Sequence, residues 1–363
     1  MKILQICDYA AKYRGNFIES LEYFRKNSLG DGDFMLYAFP ERMAERRNQW
    51  FFDLKKEVPA AIYKSSVKEK IRAFRKIIKE NGVDTVHTHF TDMKTDMCVN
   101  IACLGLRVKK FKHYRSSFGS FGTIKKFFAR LCYRSWNAVI CVSPHTLREA
   151  ESNIVSCKPV LLNDAVYFPR MDNYEKLCKP DLGVPEGAVL CFAIGYDYRL
   201  KGIDLACEAV KKLRDEGLNI YLAICTASNT QTIAEQIRTQ FGEFPEWLKL
   251  LPPRQDIASY YRAADIYIQA SRSEGFCYAI VEAAYCGKTV VASDCPGMKS
   301  HAEKNFDFLW FKNGDSDILS EKLGQAVKMS ESSGLSAKNR RSAIDNYSIE
   351  NMSKKLHRIY ADM

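Results

Sequence analysis

The 13 cysteines of this 363-residue chain include no C-x-x-C pair. They fall singly between Cys7 and Cys295, many inside apolar runs such as those around Cys141, Cys191, Cys207 and Cys225. An odd, dispersed set excludes a disulfide framework and a zinc ribbon, and leaves buried reduced thiols. Long hydrophobic runs are also missing. The opening MKILQICDYAAKY is interrupted at Asp8, short of the apolar core of a signal peptide or membrane span, which predicts a cytosolic protein. With 19 Gly and 11 Pro the composition is neither disordered nor fibrous, and no short-period repeat or low-complexity tract is present. Neither half shows G-x-G-x-x-G, which argues against a nicotinamide dehydrogenase. No nucleic-acid-binding module accompanies the chain's positive charge.

What is present is an ordinary globular composition, 47% apolar and 27% charged, in a chain long enough for two α/β cores. The net charge of +11 is uneven: residues 1–150 hold 28 Lys and Arg against 15 Asp and Glu, and the remainder 26 against 28. An anionic acceptor or surface is therefore expected to meet the first domain.

Short apolar runs alternate with helical periodicity, the pattern of βαβ units and parallel sheets. In the first half, strands are predicted at Lys2 to Cys7, Val83 to His89, Lys110 to Tyr114, Ala138 to Ser143 and Val160 to Leu162. Helices are predicted at Phe17 to Phe24 and through Val67, Ile71, Phe74 and Ile78, the latter stopping at Asn81-Gly82. A polar, proline-containing stretch from Asn163 to Gly187 reads as a connection. Beyond it strands recur at Val189 to Ile194, Ile220 to Cys225, Leu248 to Leu251, Ile266 to Ala270 and Thr289 to Ala292, with helices at Ile203 to Glu216 and Ala279 to Cys286. The expected division is residues 1–168, 169–345 and a closing helical segment 346–363.

The most informative stretch runs Ser271-Arg272-Ser273-Glu274-Gly275-Phe276, then Cys277-Tyr278-Ala279-Ile280-Val281-Glu282. A strand ends, a tight loop follows and a helix opens, so backbone N–H groups near Phe276, Cys277 and Tyr278 face the sheet's C-terminal edge. Ligands bind at such edges, and a helix start there favours a diphosphate. Glu274 and Glu282 are separated by up to ~12 Å along a helix, which suits a nucleotide sugar with hydroxyls at both ends. The alternative is that Glu282 decorates a solvated face and Glu274 caps the helix. Gly287-Lys288-Thr289 invites a P-loop reading, but Glu282 stands where its first Gly is required.

This segment resembles the E-x7-E signature of family 4 retaining glycosyltransferases, including a tail Gly287-Lys288-Thr289-Val290-Val291-Ala292-Ser293-Asp294 followed by Pro296-Gly297. Gly195-Tyr196-Asp197-Tyr198-Arg199-Leu200-Lys201-Gly202 is similar to the family's G-R-(x)4-K-G, with Lys201 matching and Tyr196 in place of the arginine. Arg199 could supply the missing guanidinium, or be a surface basic group. Arg14-Gly15-Asn16-Phe17 resembles the glycine-rich loop in part, the alternative being a plain turn capped by Asn16. Asp84-Thr85-Val86-His87-Thr88-His89-Phe90 is similar to D-x-(V/I)-H-x-H, and its two histidines share one strand face. Lys112-His113-Tyr114-Arg115-Ser116 falls where relatives often carry a histidine near the reacting sugar, and either His113 or Arg115 takes that place. Looser similarity covers Ala138 to Ser143, Leu162 to Val166, Asp256 to Ser271 and Asn346 to Tyr360.

The resemblance implies a GT-B fold, α/β with two facing Rossmann-like domains, parallel sheets and an interdomain cleft. It implies a nucleotide-sugar donor held mainly by the second domain, a hydroxyl acceptor met by the first, no cofactor and no metal ion. Asp31-Gly32-Asp33 and Asp315-Ser316-Asp317 each sit in a turn opening the next element and do not read as metal sites. The catalytic set implied is Glu274, Lys201, Arg199, His113 and Arg115. Donor contacts are expected from Arg14, Gly15, Gly195, Tyr196, Gly275, Phe276, Cys277, Tyr278 and Glu282. The expected reaction is front-face transfer to a lipid-linked or cell-surface saccharide in polysaccharide biosynthesis. A catalytically silent subunit partnering an active enzyme is the competing reading, motivated by Tyr196.

From Arg107 to Arg134 there are nine Lys and Arg and no acidic residue. Ile124, Phe127, Phe128, Leu131 and Cys132 form one helical face opposite Lys126 and Arg130. Such a helix either faces the core with a solvated basic back, or rests on an anionic membrane surface.

Overall fold

The computed structural model describes residues 1–117, 119–154, 156–226, 229–329 and 333–363. They form two compact units, Met1–Ala165 with Ile349–Met363, and Val166–Ser348.

The first unit is a seven-stranded parallel sheet: β1 (Lys2–Cys7), β2 (Phe34–Pro40), β3 (Ala60–Tyr63), β4 (Thr85–His89), β5 (Lys109–Tyr114), β6 (Ala138–Cys141) and β7 (Pro159–Leu161), in the order β3-β2-β1-β4-β5-β6-β7. Its helices are α1 (Gly15–Asn27), α2 (Glu41–Glu45), α3 (Gln49–Glu57), α4 (Val67–Asn81), α5 (Met93–Ala102), α6 (Thr123–Tyr133) and α7 (Pro144–Asn153). The inner strands are buried nearly throughout, as expected of a parallel sheet covered on both faces, while the edge strands β3 and β7 are largely half-buried. Helix α4 stops at the predicted glycine. Ser66 accepts the Glu69 N–H at its start, and Gly82 closes it in the left-handed conformation at φ 59°. Asn16 lies inside α1 and is buried rather than capping it; Arg14 holds the cap position.

The second unit has a six-stranded parallel sheet: β8 (Val189–Ile194), β9 (Ile220–Cys225), β10 (Leu248–Leu251), β11 (Ile266–Gln269), β12 (Thr289–Ser293) and β13 (Leu309–Phe311), in the order β10-β9-β8-β11-β12-β13. Around it are α8 (Pro169–Asp172), α9 (Ile203–Asp215), α10 (Thr230–Phe241), α11 (Ala258–Ala263), α12 (Tyr278–Tyr285), α13 (Pro296–Lys299), α14 (Ser316–Met329) and α15 (Ser333–Tyr347). The last helix, α16 (Ile349–Asp362), belongs to the first unit. Val210, Leu222, Ile266 and Val291 lie in one continuous apolar core.

Both sheets reverse strand order beside their first strand, between β1 and β4 and between β8 and β11. The loops leaving those strands diverge at the reversal and leave a crevice at the sheet's C-terminal edge. Each unit is thus a Rossmann-like α/β layer, and the chain has the GT-B fold. Among the described residues no helix is long and apolar enough to cross a membrane.

Candidate functional site

At the reversal of the second sheet, the loop Gly195–Gly202 after β8 meets the loop Ala270–Cys277 after β11. The contact is backbone on backbone. Gly202 sits at φ 64°, and a Cβ there would lie 1.9 Å from the carbonyl oxygen of Ala270. On the other side of the β11 loop, a Cβ on Gly297 would fall 1.7 Å from the Glu274 carbonyl oxygen. No side chain fits at either position without moving backbone, so these two glycines set where Glu274 stands.

Glu274 is the hub. Its Oε1 accepts from Lys201 Nζ at 2.6 Å, Ser271 Oγ at 2.7 Å and Gln269 Nε2 at 3.2 Å. Burial alone would depress Lys201, but the Glu274 charge and hydrogen bond outweigh it and raise the ammonium's pKa. Lys201 also lies over the Tyr196 ring, 5.0 Å from its centroid, while Tyr196 itself is exposed. The structure therefore brings Glu274, Lys201, Gly195 and Tyr196 together.

Arg199 goes elsewhere. Its guanidinium contacts Asp204 at 2.5 Å, and Arg272 makes two 2.8 Å bonds to the same carboxylate. Gly275, Phe276, Cys277 and Tyr278 lead into α12, whose start has no side-chain cap hydrogen bond. Cys277 occupies left-handed space at φ 66°, uncommon for a side-chain-bearing residue and a strain that the packing around it must hold. Burial first, then the nearby Glu274 charge, pushes its thiol pKa well up, so it is no nucleophile.

Glu282 is buried rather than solvated. Its two oxygens meet Arg170 at 2.8 Å and the Tyr261 hydroxyl at 3.0 Å. Arg170, on α8, is a residue the sequence reading missed. So is His301, whose Nε2 binds the Phe276 carbonyl at 2.6 Å while Nδ1 meets the Tyr347 hydroxyl at 2.7 Å. Phe276 packs edge-on to His301 and Tyr347. Burial holds His301 down to a pKa of about 4, so it is neutral and fixes the Phe276 loop. Neither residue lies in a motif; only their spatial neighbours reveal them.

At the corresponding edge of the first sheet the candidates His113 and Arg115 are buried. His89 on β4 is in register with His113 on β5, His87 lies two residues earlier on β4, and all three are buried. His87 Nδ1 meets the Tyr360 hydroxyl of α16 at 2.5 Å, and His89 Nε2 meets Gln5 at 2.8 Å. Burial, with the Arg115 and Lys112 charges added, holds all three well below the usual histidine range. Arg115 pairs with Asp164 and stacks over Phe17, 4.6 Å from the ring centroid. Arg14 reaches Glu19 of its own helix at 3.1 Å, and Gly15 turns beneath Tyr9 at φ 61°.

The ligating atoms of the three histidines lie within 4.8 Å of one another, spacing compatible with a metal ion. The chemistry around them is adverse. The His87 and His113 rings are stacked within 4° of parallel, so their in-plane lone pairs do not converge, and the Arg115 guanidinium touches His113 at 3.4 Å. The two Asp-x-Asp triplets serve turns: Asp33 accepts the Gly30 N–H at 3.0 Å, and Asp315 accepts those of Asp317 and Ile318 at 3.1 and 3.0 Å.

The family described as glycosyl transferases group 1 matches residues 177–355. A curated relative, the N,N'-diacetylbacillosaminyl-diphospho-undecaprenol alpha-1,3-N-acetylgalactosaminyltransferase of Campylobacter jejuni, is 38% identical over 73 residues, 20% of this chain and 19% of that one. The first curated relatives are matched over only 19 to 48% of their own lengths. A glycosyltransferase structure from Rickettsia africae superposes with a TM-score of 0.82 at 18% identity, covering 99% of this chain and 98% of that one. Anabaena HepE in complex with UDP and glucose gives 0.78 at 16% identity, covering 100% of both. Residues 177–355, just under half of the chain, thus match the group 1 glycosyl transferases, and the chain has the GT-B fold.

Proposed function

We propose that the chain is a retaining glycosyltransferase that moves a sugar from a nucleoside-diphosphate sugar to the hydroxyl of a lipid-linked or cell-surface saccharide. The observation that carries this is the Lys201–Glu274 pair, fixed at the strand-order reversal by Gly202 and Gly297 beside the start of α12. In the free site the two charges neutralise each other. Donor binding exchanges that contact for two others: Lys201 turns to the diphosphate, and Glu274 takes a sugar hydroxyl.

As the glycosidic bond breaks, negative charge grows on the leaving diphosphate. Lys201 and the α12 N–H groups stabilise it, in the place a metal ion would take. The leaving oxygen accepts the acceptor hydroxyl's proton on the same face of the sugar, so no nucleophile from the protein is needed. Glu282, held by Arg170 and Tyr261, receives the ribose hydroxyls. The UDP bound by the Anabaena neighbour and the undecaprenol-linked substrate named for the Campylobacter relative support trying UDP-sugars and polyprenyl-linked acceptors first.

Glu274→Ala is expected to lower transfer by roughly 10² or more with the far-ultraviolet spectrum unchanged. Undiminished turnover would remove Glu274 from the reaction. A wild-type protein that binds nucleotide but neither transfers nor hydrolyses any donor would favour the silent-subunit reading that Tyr196 motivates.

A further inference from the structure

Helix α6 is seated on the first unit by its C-terminal half. Ala129, Cys132 and Tyr133 are its buried residues, while the bulky stripe faces outward: Ile124 is 76% exposed, Phe127 58%, Phe128 55% and Leu131 50%. The core-facing alternative for this stripe is thereby overturned. Side by side, Ile124, Phe128 and Leu131 of α6 and Met93 and Met97 of α5 wall a groove of about 860 Å³. Isolated exposed apolar residues are ordinary, but a contiguous stripe opening into an apolar groove marks an interaction surface.

The charge around this stripe identifies the partner. Of the nine basic residues between Arg107 and Arg134, Lys110, Lys112 and Arg115 are buried inside the unit. Lys125, Arg130 and Arg134 are exposed along α6, Lys126 is half-exposed, and Lys94 stands at the groove. No Asp or Glu interrupts the sequence between residues 107 and 134. A second copy of the chain docking through the same patch would set these cations against their own equivalents. A surface that is apolar in depth and negative at its rim complements them.

We propose that α6, with the groove it shares with α5, docks on an anionic phospholipid bilayer. Ile124, Phe127, Phe128 and Leu131 enter the acyl region, and Lys125, Lys126 and Arg130 lie at the level of the lipid phosphates. The docking face and the donor site share no residue, so either assignment can fail without the other.

Co-sedimentation with vesicles of phosphatidylcholine alone, and of phosphatidylcholine with phosphatidylglycerol, tests this on the full chain. The wild type is expected to partition onto the anionic vesicles and weakly onto the neutral ones. Phe127→Ser with Phe128→Ser lowers anionic partitioning by roughly tenfold or more. Each of Lys125→Glu, Lys126→Glu and Arg130→Glu lowers it by about fivefold or more. All of these positions are at the surface, and an unchanged circular dichroism spectrum together with an unchanged thermal midpoint confirms the fold. Equal recovery on both vesicle types would overturn the proposal, as would recovery indifferent to the phenylalanine changes. A concentration-dependent dimer that the phenylalanine variant dissolves would also overturn it, assigning the face to self-association.

Discussion

The two sheets share a topology and differ in what they do with the crevice it creates. At the reversal in the first unit, three neutral histidines, Arg115, Asp164 and Gln5 are buried and bonded to one another or to α16. At the reversal in the second, a Lys–Glu pair, an exposed tyrosine and an uncapped helix start stand at the edge. Polar residues at a sheet edge are therefore not enough to identify a binding site. Where the ion pair is wholly buried, the cluster holds the fold together; where close-approach glycines hold a partly exposed charge pair at the edge, it is available to a ligand.

Substitutions separate the two cases. The largest effect is expected from Asp164→Ala, which leaves the Arg115 guanidinium buried without its carboxylate. It should cost about 3 to 5 kcal/mol of stability in chemical denaturation, with UDP affinity unchanged once the protein is folded. Equal losses in both readouts would erase the distinction between the edges.

Acid is the next test. Burial sets the folded pKa of His301 at about 4, below the ordinary histidine value of about 6.5. The unfolded chain therefore binds the proton first, and the stabilisation is complete above pH 6.5. It is lost as the pH falls towards 4, to a total of about 3 kcal/mol. His87, His89 and His113 are shifted in the same direction by burial, so the first unit carries three such groups to the second unit's one. Amide protection of β4 and β5 should accordingly fail at higher pH than that of β11 and β12. The reverse order by hydrogen exchange would contradict the burial argument.

Smaller effects belong to the second edge. Lys201→Met is expected to weaken UDP binding by roughly 2 kcal/mol, about 30-fold, the scale of one charge-assisted hydrogen bond. Thermal stability should change little. Arg199→Ala should be smallest, at or below about 1 kcal/mol in either readout: its side chain is 74% exposed, and Arg272 also holds Asp204. A large loss of turnover in that variant would show that Arg199 leaves Asp204 when donor binds.

Much of the fold was legible from periodicity. Strands β8, β9 and β10 begin and end where their apolar runs do, and α4 stops at the glycine that closes it. Strands β2, β3 and β13 were missed. β2 is a continuous apolar run ending in proline, and the other two are four and three residues long, too short for alternation to register. Of the site, Glu274, Glu282 and Lys201 are legible because each sits at a strand-to-helix junction or one helical step beyond it. Arg170 and His301 are not, since they reach Glu282 and Phe276 from 112 and 25 residues away. Helix α6 shows a further limit. Its sequence shows one bulky apolar face, and only the packed structure shows Ile124, Phe127, Phe128 and Leu131 of that face turned outward.

A nucleoside diphosphate seated in the crevice between β8 and β11 would place its ribose on Glu282, which Arg170 and Tyr261 hold. Calorimetric titration of UDP, with GDP beside it, into the wild type and into Glu282→Gln tests that placement most directly. Saturable one-site binding of one nucleotide that weakens at least about tenfold in the variant is the predicted result. Binding of neither nucleotide, or equal affinity in both proteins, would contradict the account.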